Sequence, residues 1–378
     1  MLDYEVLRFI WWVLICVLLI GFAITDGFDM GTQMLLPVIG KSNVERRVMI
    51  NTIAPHWDGN QVWLLTGGGA IFAAWPTVYA TSFSGFYMAM ILVLAALFFR
   101  PVGFEYRAKI DDQRWRNAWD WGLFIAGFVP AVVFGVAFGN LLQGVPFEFN
   151  QLNQVKYTGS FFGLLNPFAL LCGVVSLMML VTQGATWLQM KTTADLRTRS
   201  RNVAQLTAAV GIVAFLLAGA WLYMKDGFVV TSQLDHNAQS LLTNKTVALE
   251  SGAWFKNYVE MPALWLVPVV AVLGALITIV ASKANRNGFA FFGSSLMQVG
   301  IILTAAVSMF PFIMPSISHP NVSLTVWDAT ASELTLTIML VVACIFVPLV
   351  LAYTIWSYIK MYGRIDAKFI EDNSASVY

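Results

Sequence analysis

Apolar residues in this chain fall in blocks of about twenty, separated by short polar connections, and a helix of that length spans the hydrocarbon core of a bilayer. Nine such blocks predict nine spans, near residues 9–24, 60–75, 80–99, 119–140, 161–183, 204–224, 262–281, 289–310 and 334–359. The second block is the least apolar and carries the run Gly67, Gly68, Gly69. A scan on hydropathy alone would pass over it and return eight spans. Residues 31–53 are mixed, with Pro37 and the charged Glu45, Arg46 and Arg47, and read as an interfacial helix. Residues 225–261 form the longest connection, polar and turn-prone across 236–245. The first block has no basic segment before it and no small-residue cleavage site after it, which predicts a retained span.

Charge placement supports nine spans over eight. With nine, the loops alternate: Arg8, Lys156, Lys225, Lys245 and Lys256 lie on one side, and the other seventeen of the 22 Lys and Arg lie on the opposite side. Omitting the second span mixes the two sets. Basic residues favour the cytoplasmic face, so the N-terminus is expected outside and the C-terminus inside. The expected class is therefore an all-α polytopic membrane protein forming one membrane domain over residues 1–378, with residues 225–261 as an outer loop.

Composition agrees: of 378 residues, 58% are hydrophobic and 11% charged, against about a quarter charged in soluble domains. Mean hydropathy is +0.70. A net charge of +1 offers no electrostatic footprint for nucleic acid. Cys16, Cys172 and Cys344 each fall inside an apolar block without a paired spacing, and read as small buried hydrophobes. His56, His236 and His319 are the only histidines, and none lies mid-span. This argues against haem ligation or a metal site in this chain, both of which need convergent ligands. Phosphate-loop and nucleophile-elbow motifs are absent.

The remaining chemistry is a set of ionisable residues at the predicted inner ends of the first four spans. Asp26 and Asp29 are three apart and share a helix face. His56 and Asp58 open the second span, Arg100 closes the third and Asp120 opens the fourth. Helix dipoles favour Asp58 and Asp120 at N-termini, but disfavour Asp26 and Asp29 at the expected C-terminal end of span one. Two readings fit: a ring of caps and ion pairs, or a group that handles protons. Trp63 sits beside this group, and its simplest role is packing. Gly135 and Gly139 form a small-xxx-small pair suited to close helix contact. On these residues alone, a secondary transporter and a membrane scaffold subunit both remain open, although a transporter would place its charges nearer the midplane.

The segments GFAITDGFDMG, INTIAPHWDGNQVW, FAAWPTVYA, FSGFYMAMILVLAALFFRPVGFEYR, TQGATWLQMKT and SLTVWDATASELTL resemble subunit II of the cytochrome bd quinol oxidases. The resemblance runs from Tyr4 to the C-terminal tail. It implies two four-helix bundles plus one extra helix, in the bacterial inner membrane. It also implies a pseudo-symmetric pairing with subunit I, which would carry haem b and haem d, and very small single-span accessory subunits. The complex would oxidise ubiquinol or menaquinol and reduce O2 to water with protons from the cytoplasm. A structural ubiquinone within this chain is implied, with no residues assigned to it. On this footing Asp26, Asp29, His56, Asp58 and Arg100 become candidates for a proton route. Trp63, Gly67, Gly68 and Gly69 become candidates for an oxygen path from the lipid.

Overall fold

A computed structural model describes residues 2–242, 245–373 and 377–378. Residues 243 and 244, in the turn-prone middle of the longest connection, lie outside the described residues. The chain opens with α1 (Tyr4–Ile39), α2 (Asn43–Ile53), α3 (Trp57–Ala74), α4 (Pro76–Gly85), α5 (Tyr87–Leu97), α6 (Phe99–Tyr106) and α7 (Gln113–Gln143). A hairpin of β1 (Phe147–Phe149) and β2 (Val155–Tyr157) leads to α8 (Pro167–Lys191) and α9 (Ala194–Tyr223). A second hairpin, β3 (Asp226–Val230) with β4 (Val247–Ser251), precedes α10 (Lys256–Glu260), α11 (Leu266–Lys283) and α12 (Asn287–Met309). Then come β5 (Phe312–Met314), β6 (Leu324–Thr325), α13 (Glu333–Lys360) and α14 (Ala367–Asp372).

Among the described residues eight helical segments are long and apolar enough to cross a membrane. They are α1, Tyr87–Tyr106, α7, α8, α9, Pro262–Lys283, α12 and α13. Helix α3 has 18 residues and is not one of the eight. Its glycines and the polar residues of its first turns lower its hydropathy. Most helices extend beyond the apolar blocks, because polar turns continue the backbone hydrogen bonding past the lipid.

Three expectations are corrected. The first helix does not end near residue 24; α1 runs 36 residues, so Asp26 and Asp29 lie in its interior. The segment 31–53 is not one interfacial helix. Its first part belongs to α1, and α2 begins afresh at Asn43 behind a capping box made by Ser42 and Glu45. Pro37 lies in the last turn of α1, two residues before the helix ends. The third span is shifted: Pro76 starts α4 at its first position, where a missing N–H costs nothing, and the apolar crossing segment is Tyr87–Tyr106.

The helices pack in two sets. One holds α1, α3, α5, α6 and α7, the other α8, α9, α11 and α12. The seam between the sets is α8 against α1 and α7. At Gly31 a Cβ would stand 2.2 Å from the Leu180 carbonyl oxygen, and at Gly184 one would stand 2.3 Å from the Gly31 carbonyl carbon. Gly135 and Gly139 face Cys172 and Ala169 of α8 in the same way. These glycines bring backbones together where lipid supplies no hydrophobic drive between helices. By contrast α13 touches chiefly α1 and α3, and is exposed along most of its length.

The two ends of the assembly differ. The three hairpins gather at one end, where Val145 pairs with Ser316. There the buried Arg8 side chain donates to the His236 and Ala238 carbonyls and to Thr330 Oγ1, tying α1 to the long connection. The opposite end holds α2 and α14. Lys191 Nζ donates to the Met361 carbonyl at 2.9 Å, and Arg199 pairs with Glu45. Burial works to raise the Glu45 carboxyl, but hydrogen bonds from Arg199 and the Lys41 backbone outweigh it and hold Glu45 below its ordinary value.

Candidate functional site

Asp26 and Asp29 project from one face of α1 and are fully buried. Burying a carboxylate among helices is costly unless it is paired or neutralised. Asp26 Oδ1 meets Arg100 Nη1 of α6 at 2.7 Å, and neither side chain is exposed. Asp29 Oδ2 accepts from Asn60 Nδ2 of α3 at 2.8 Å. Asn60 Oδ1 in turn accepts from the Tyr358 hydroxyl of α13 at 2.5 Å. One oxygen of each carboxylate, together with Nε and Nη2 of Arg100, has no protein hydrogen-bond partner among the described residues.

His56 precedes α3 and lies flat against Tyr358, with ring centroids 4.3 Å apart and planes 5° from parallel. Trp187 stands nearly perpendicular beside both rings, 6.0 Å from the imidazole and 6.3 Å from Tyr358, and itself stacks on Phe28 of α1 at 3.9 Å. Burial pushes the His56 imidazole down to about 4, and the Lys191 ammonium adds to the effect.

The structure thus brings Asp26, Asp29, Arg100 and His56 into one buried neighbourhood. Sequence reading missed Asn60 and Tyr358, which link them; Asn60 lies two positions from Asp58 in the same segment and was the available signal. Asp58 stands apart. It is exposed in the first turn of α3, about 200° around the helix from Asn60. Asp120 belongs to a separate cluster, where Arg107 Nε at 2.5 Å and Arg46 Nη1 at 2.7 Å share its carboxylate.

Trp63 lies on Gly21 of α1, where a Cβ would meet the indole at 2.4 Å. Gly68 and Gly69 face open space, and Gly67 has only Leu18 at 4.0 Å. An apolar cavity of about 200 Å³ lies deeper between α1, α7, α8, α9 and α12, walled by Phe22, Phe134, Cys172, Met179, Phe215 and Ile301.

Haem does not fit the histidines here. His56 is stacked on Tyr358, His236 Nδ1 contacts Glu5 while its ring stacks on Trp327, and His319 contacts Glu148 at the hairpin end. Among the described residues no three His, Cys, Asp or Glu side chains converge as metal ligands.

A multi-pass helical membrane protein with a buried carboxylate–guanidinium centre is the class that fold and site define. Residues 7–361 match the family model for cytochrome bd terminal oxidase subunit II. The chain is 70% identical over 378 residues to a Haemophilus influenzae protein named "Probable cytochrome oxidase subunit 2", covering all of both. It is 59% identical to the Escherichia coli "Cytochrome bd-I ubiquinol oxidase subunit 2", again over the whole of both chains. A Bacillus subtilis relative, "Cytochrome bd ubiquinol oxidase subunit 2", is 33% identical over 95% of this chain and 97% of its own. A chain of the bd oxidase structure from Geobacillus thermodenitrificans shares the fold, with a TM-score of 0.66 at 13% identity over 94% of this chain and 99% of that one. The chain belongs to the cytochrome bd terminal oxidase subunit II family and is a subunit of that oxidoreductase complex.

Proposed function

We propose that this chain supports quinol oxidation and the reduction of O2 to water, without carrying the haems, and that it collects the protons from the cytoplasm. The names of the E. coli and B. subtilis relatives support ubiquinol as reductant, and menaquinol is the alternative. Haem b and haem d belong to subunit I, which supplies the electron-transfer and oxygen chemistry. The carrying observation is the buried centre itself. Asp26 and Asp29 each keep an acceptor oxygen open beside Arg100, where a proton can be held and passed on. Arg100 balances the charge, Asn60 orients Asp29, and exposed Asp58 with His56 would form the cytoplasmic approach.

Asp29→Asn, Asp26→Asn and Asp58→Asn test this in the assembled complex. Normal haem spectra with at least tenfold slower oxygen consumption are expected for Asp29→Asn. Normal spectra with wild-type turnover in all three place the route elsewhere, and loss of the spectra makes the centre structural.

The same reading takes α3 as a ninth crossing. His56, just before it, lies beside Lys191 and Tyr358 at one end, and the Ala74 carbonyl accepts from the Ala331 N–H at the other. The N-terminus is then outside and the C-terminus cytoplasmic, in the bacterial inner membrane. Exposed α13 offers a face for subunit I, and very small single-span subunits complete the complex. The apolar cavity suits a structural ubiquinone. The glycines Gly67, Gly68 and Gly69, with Trp63, serve as an oxygen path; Gly68→Leu should slow oxygen uptake at low oxygen, and an unchanged apparent affinity sinks that part.

A further inference from the structure

A polar cavity of about 470 Å³ opens at the end that carries α2 and α14, between α2, the end of α6 and the start of α7. Four cationic side chains line it: Arg47, Arg107, Lys109 and Arg116. Their commitments differ. Arg107 is nearly buried and is held by Asp120, with Nη1 on Asn43 Oδ1 at 3.1 Å. Arg47 donates to the Val377 and Tyr378 main-chain oxygens, which close one wall. Arg116 meets Asp111 at 2.5 Å, but Asp111 is 93% exposed, so that pair is screened and weak. Lys109 has no ion pair among the described residues. Glu105 is the one acidic side chain in the lining, and its Oε1 already accepts from the Tyr378 hydroxyl at 2.9 Å.

The cavity therefore gathers like charge. Burial, and then the neighbouring guanidiniums of Arg107 and Arg116, push Arg47 below its ordinary value. An anion placed among these side chains would relieve that repulsion.

The surroundings set the depth. Trp115 and Trp119 pack edge to face at 5.7 Å, Trp115 Nε1 bonds the Tyr106 carbonyl, and Trp121 is exposed. Tryptophans in this pattern mark the headgroup level of a membrane. Just before the cavity, α6 and its neighbours expose Phe98, Val102, Tyr106 and Ile110. An apolar strip thus runs from the membrane side up to a cationic recess, which is the shape a phospholipid fills: acyl chains on the strip, phosphate in the recess.

We propose that this recess binds the phosphate-bearing headgroup of an anionic phospholipid of the inner leaflet, with Lys109 and Arg116 as the principal contacts and Arg47 behind them. Basic recesses between helices on that side hold such headgroups by charge, at about 1 kcal/mol per cation. The site is independent of the buried carboxylates.

The test uses the complete complex, stripped of lipid in mild detergent and followed by native mass spectrometry. Phosphatidylglycerol and phosphatidylcholine are added back separately, and inorganic phosphate is added to a third sample. The wild-type complex should retain phosphatidylglycerol about tenfold or more better than Lys109→Ala/Arg116→Ala, as loss of two such contacts predicts. Lys109→Arg/Arg116→Lys should keep the retention, and unchanged haem spectra confirm that all variants assemble. Equal retention by wild type and the alanine pair overturns the site, as does equal retention of the two lipids. Displacement of bound phosphatidylglycerol is not expected from millimolar inorganic phosphate; saturation by phosphate alone, without lipid retention, overturns the lipid as ligand.

Discussion

Asp26 and Arg100 form a pair with no exposed surface on either side chain, so neither partner can be removed without leaving a bare charge among helices. Arg100→Ala should destabilise the complex by about 3–5 kcal/mol, the usual result of breaking a buried pair. Thermal or denaturant unfolding, followed by haem absorbance, measures this. Removing both charges together, as Asp26→Asn/Arg100→Gln, should recover part of the loss; a double variant no better than the single one would mean that Arg100 acts through packing. His56 gives a pH window of its own. Its folded value of about 4 lies below the ordinary 6.5, so its contribution to stability is fully present above pH 6.5. That contribution is lost as pH falls toward 4, because the unfolded state then gains a proton that the imidazole buried beside Tyr358 and Lys191 does not accept. His56→Phe keeps a flat ring against Tyr358 and should flatten the decline in melting temperature between pH 6.5 and 4. An unaltered slope would assign the acid sensitivity to other groups.

At the scale of elements, the glycines divide into two kinds. Gly31 lies on the backbone of α8, whereas Gly68 faces open space. Gly31→Ala should therefore cost about 1–3 kcal/mol or more by overpacking the seam between the two helix sets, while Gly68→Ala should be close to neutral in the same melting assay. A neutral Gly31→Ala would mean that the seam opens easily. The sequence shows both as glycines in apolar runs and cannot separate them, since only the neighbour's identity differs. Helix existence was legible because apolar blocks of bilayer length have few other solutions. Helix ends were not: α1 continues through Asp26 and Asp29 because Arg100 and Asn60 compensate them, and those partners lie far along the chain. Only part of the acidic group read from the sequence comes together: Asp26 and Asp29 meet near Arg100 and His56, while Asp58 is exposed and Asp120 pairs elsewhere, and the contribution of Tyr358, roughly 300 residues downstream, requires the packing of α13 on α3. Asp58 and Asn60 illustrate the remaining ambiguity, because neighbouring polar residues at a helix start point to opposite sides once the helical period is fixed.

For the whole molecule, the two ends differ in charge. The end with α2 and α14 receives seventeen of the 22 Lys and Arg, and the hairpin end receives Arg8, Lys156, Lys225, Lys245 and Lys256. Two of those five, Arg8 and Lys245, are buried and engaged, Arg8 with carbonyls of the long connection and Lys245 with Asp328. The α2 end should therefore face the cytoplasm, as a proton route to the buried carboxylates requires. Two exposed glutamines report on this directly: Gln151 in the β1–β2 turn and Gln113 at the start of α7. With Cys344, the exposed cysteine, replaced by Ser, a membrane-impermeant maleimide should label Gln151→Cys in intact spheroplasts. It should label Gln113→Cys only after lysis. The opposite pattern would invert the protein and remove the cytoplasm as the proton source. Labelling of both from outside would place an even number of crossings between them and return α7 to a surface position.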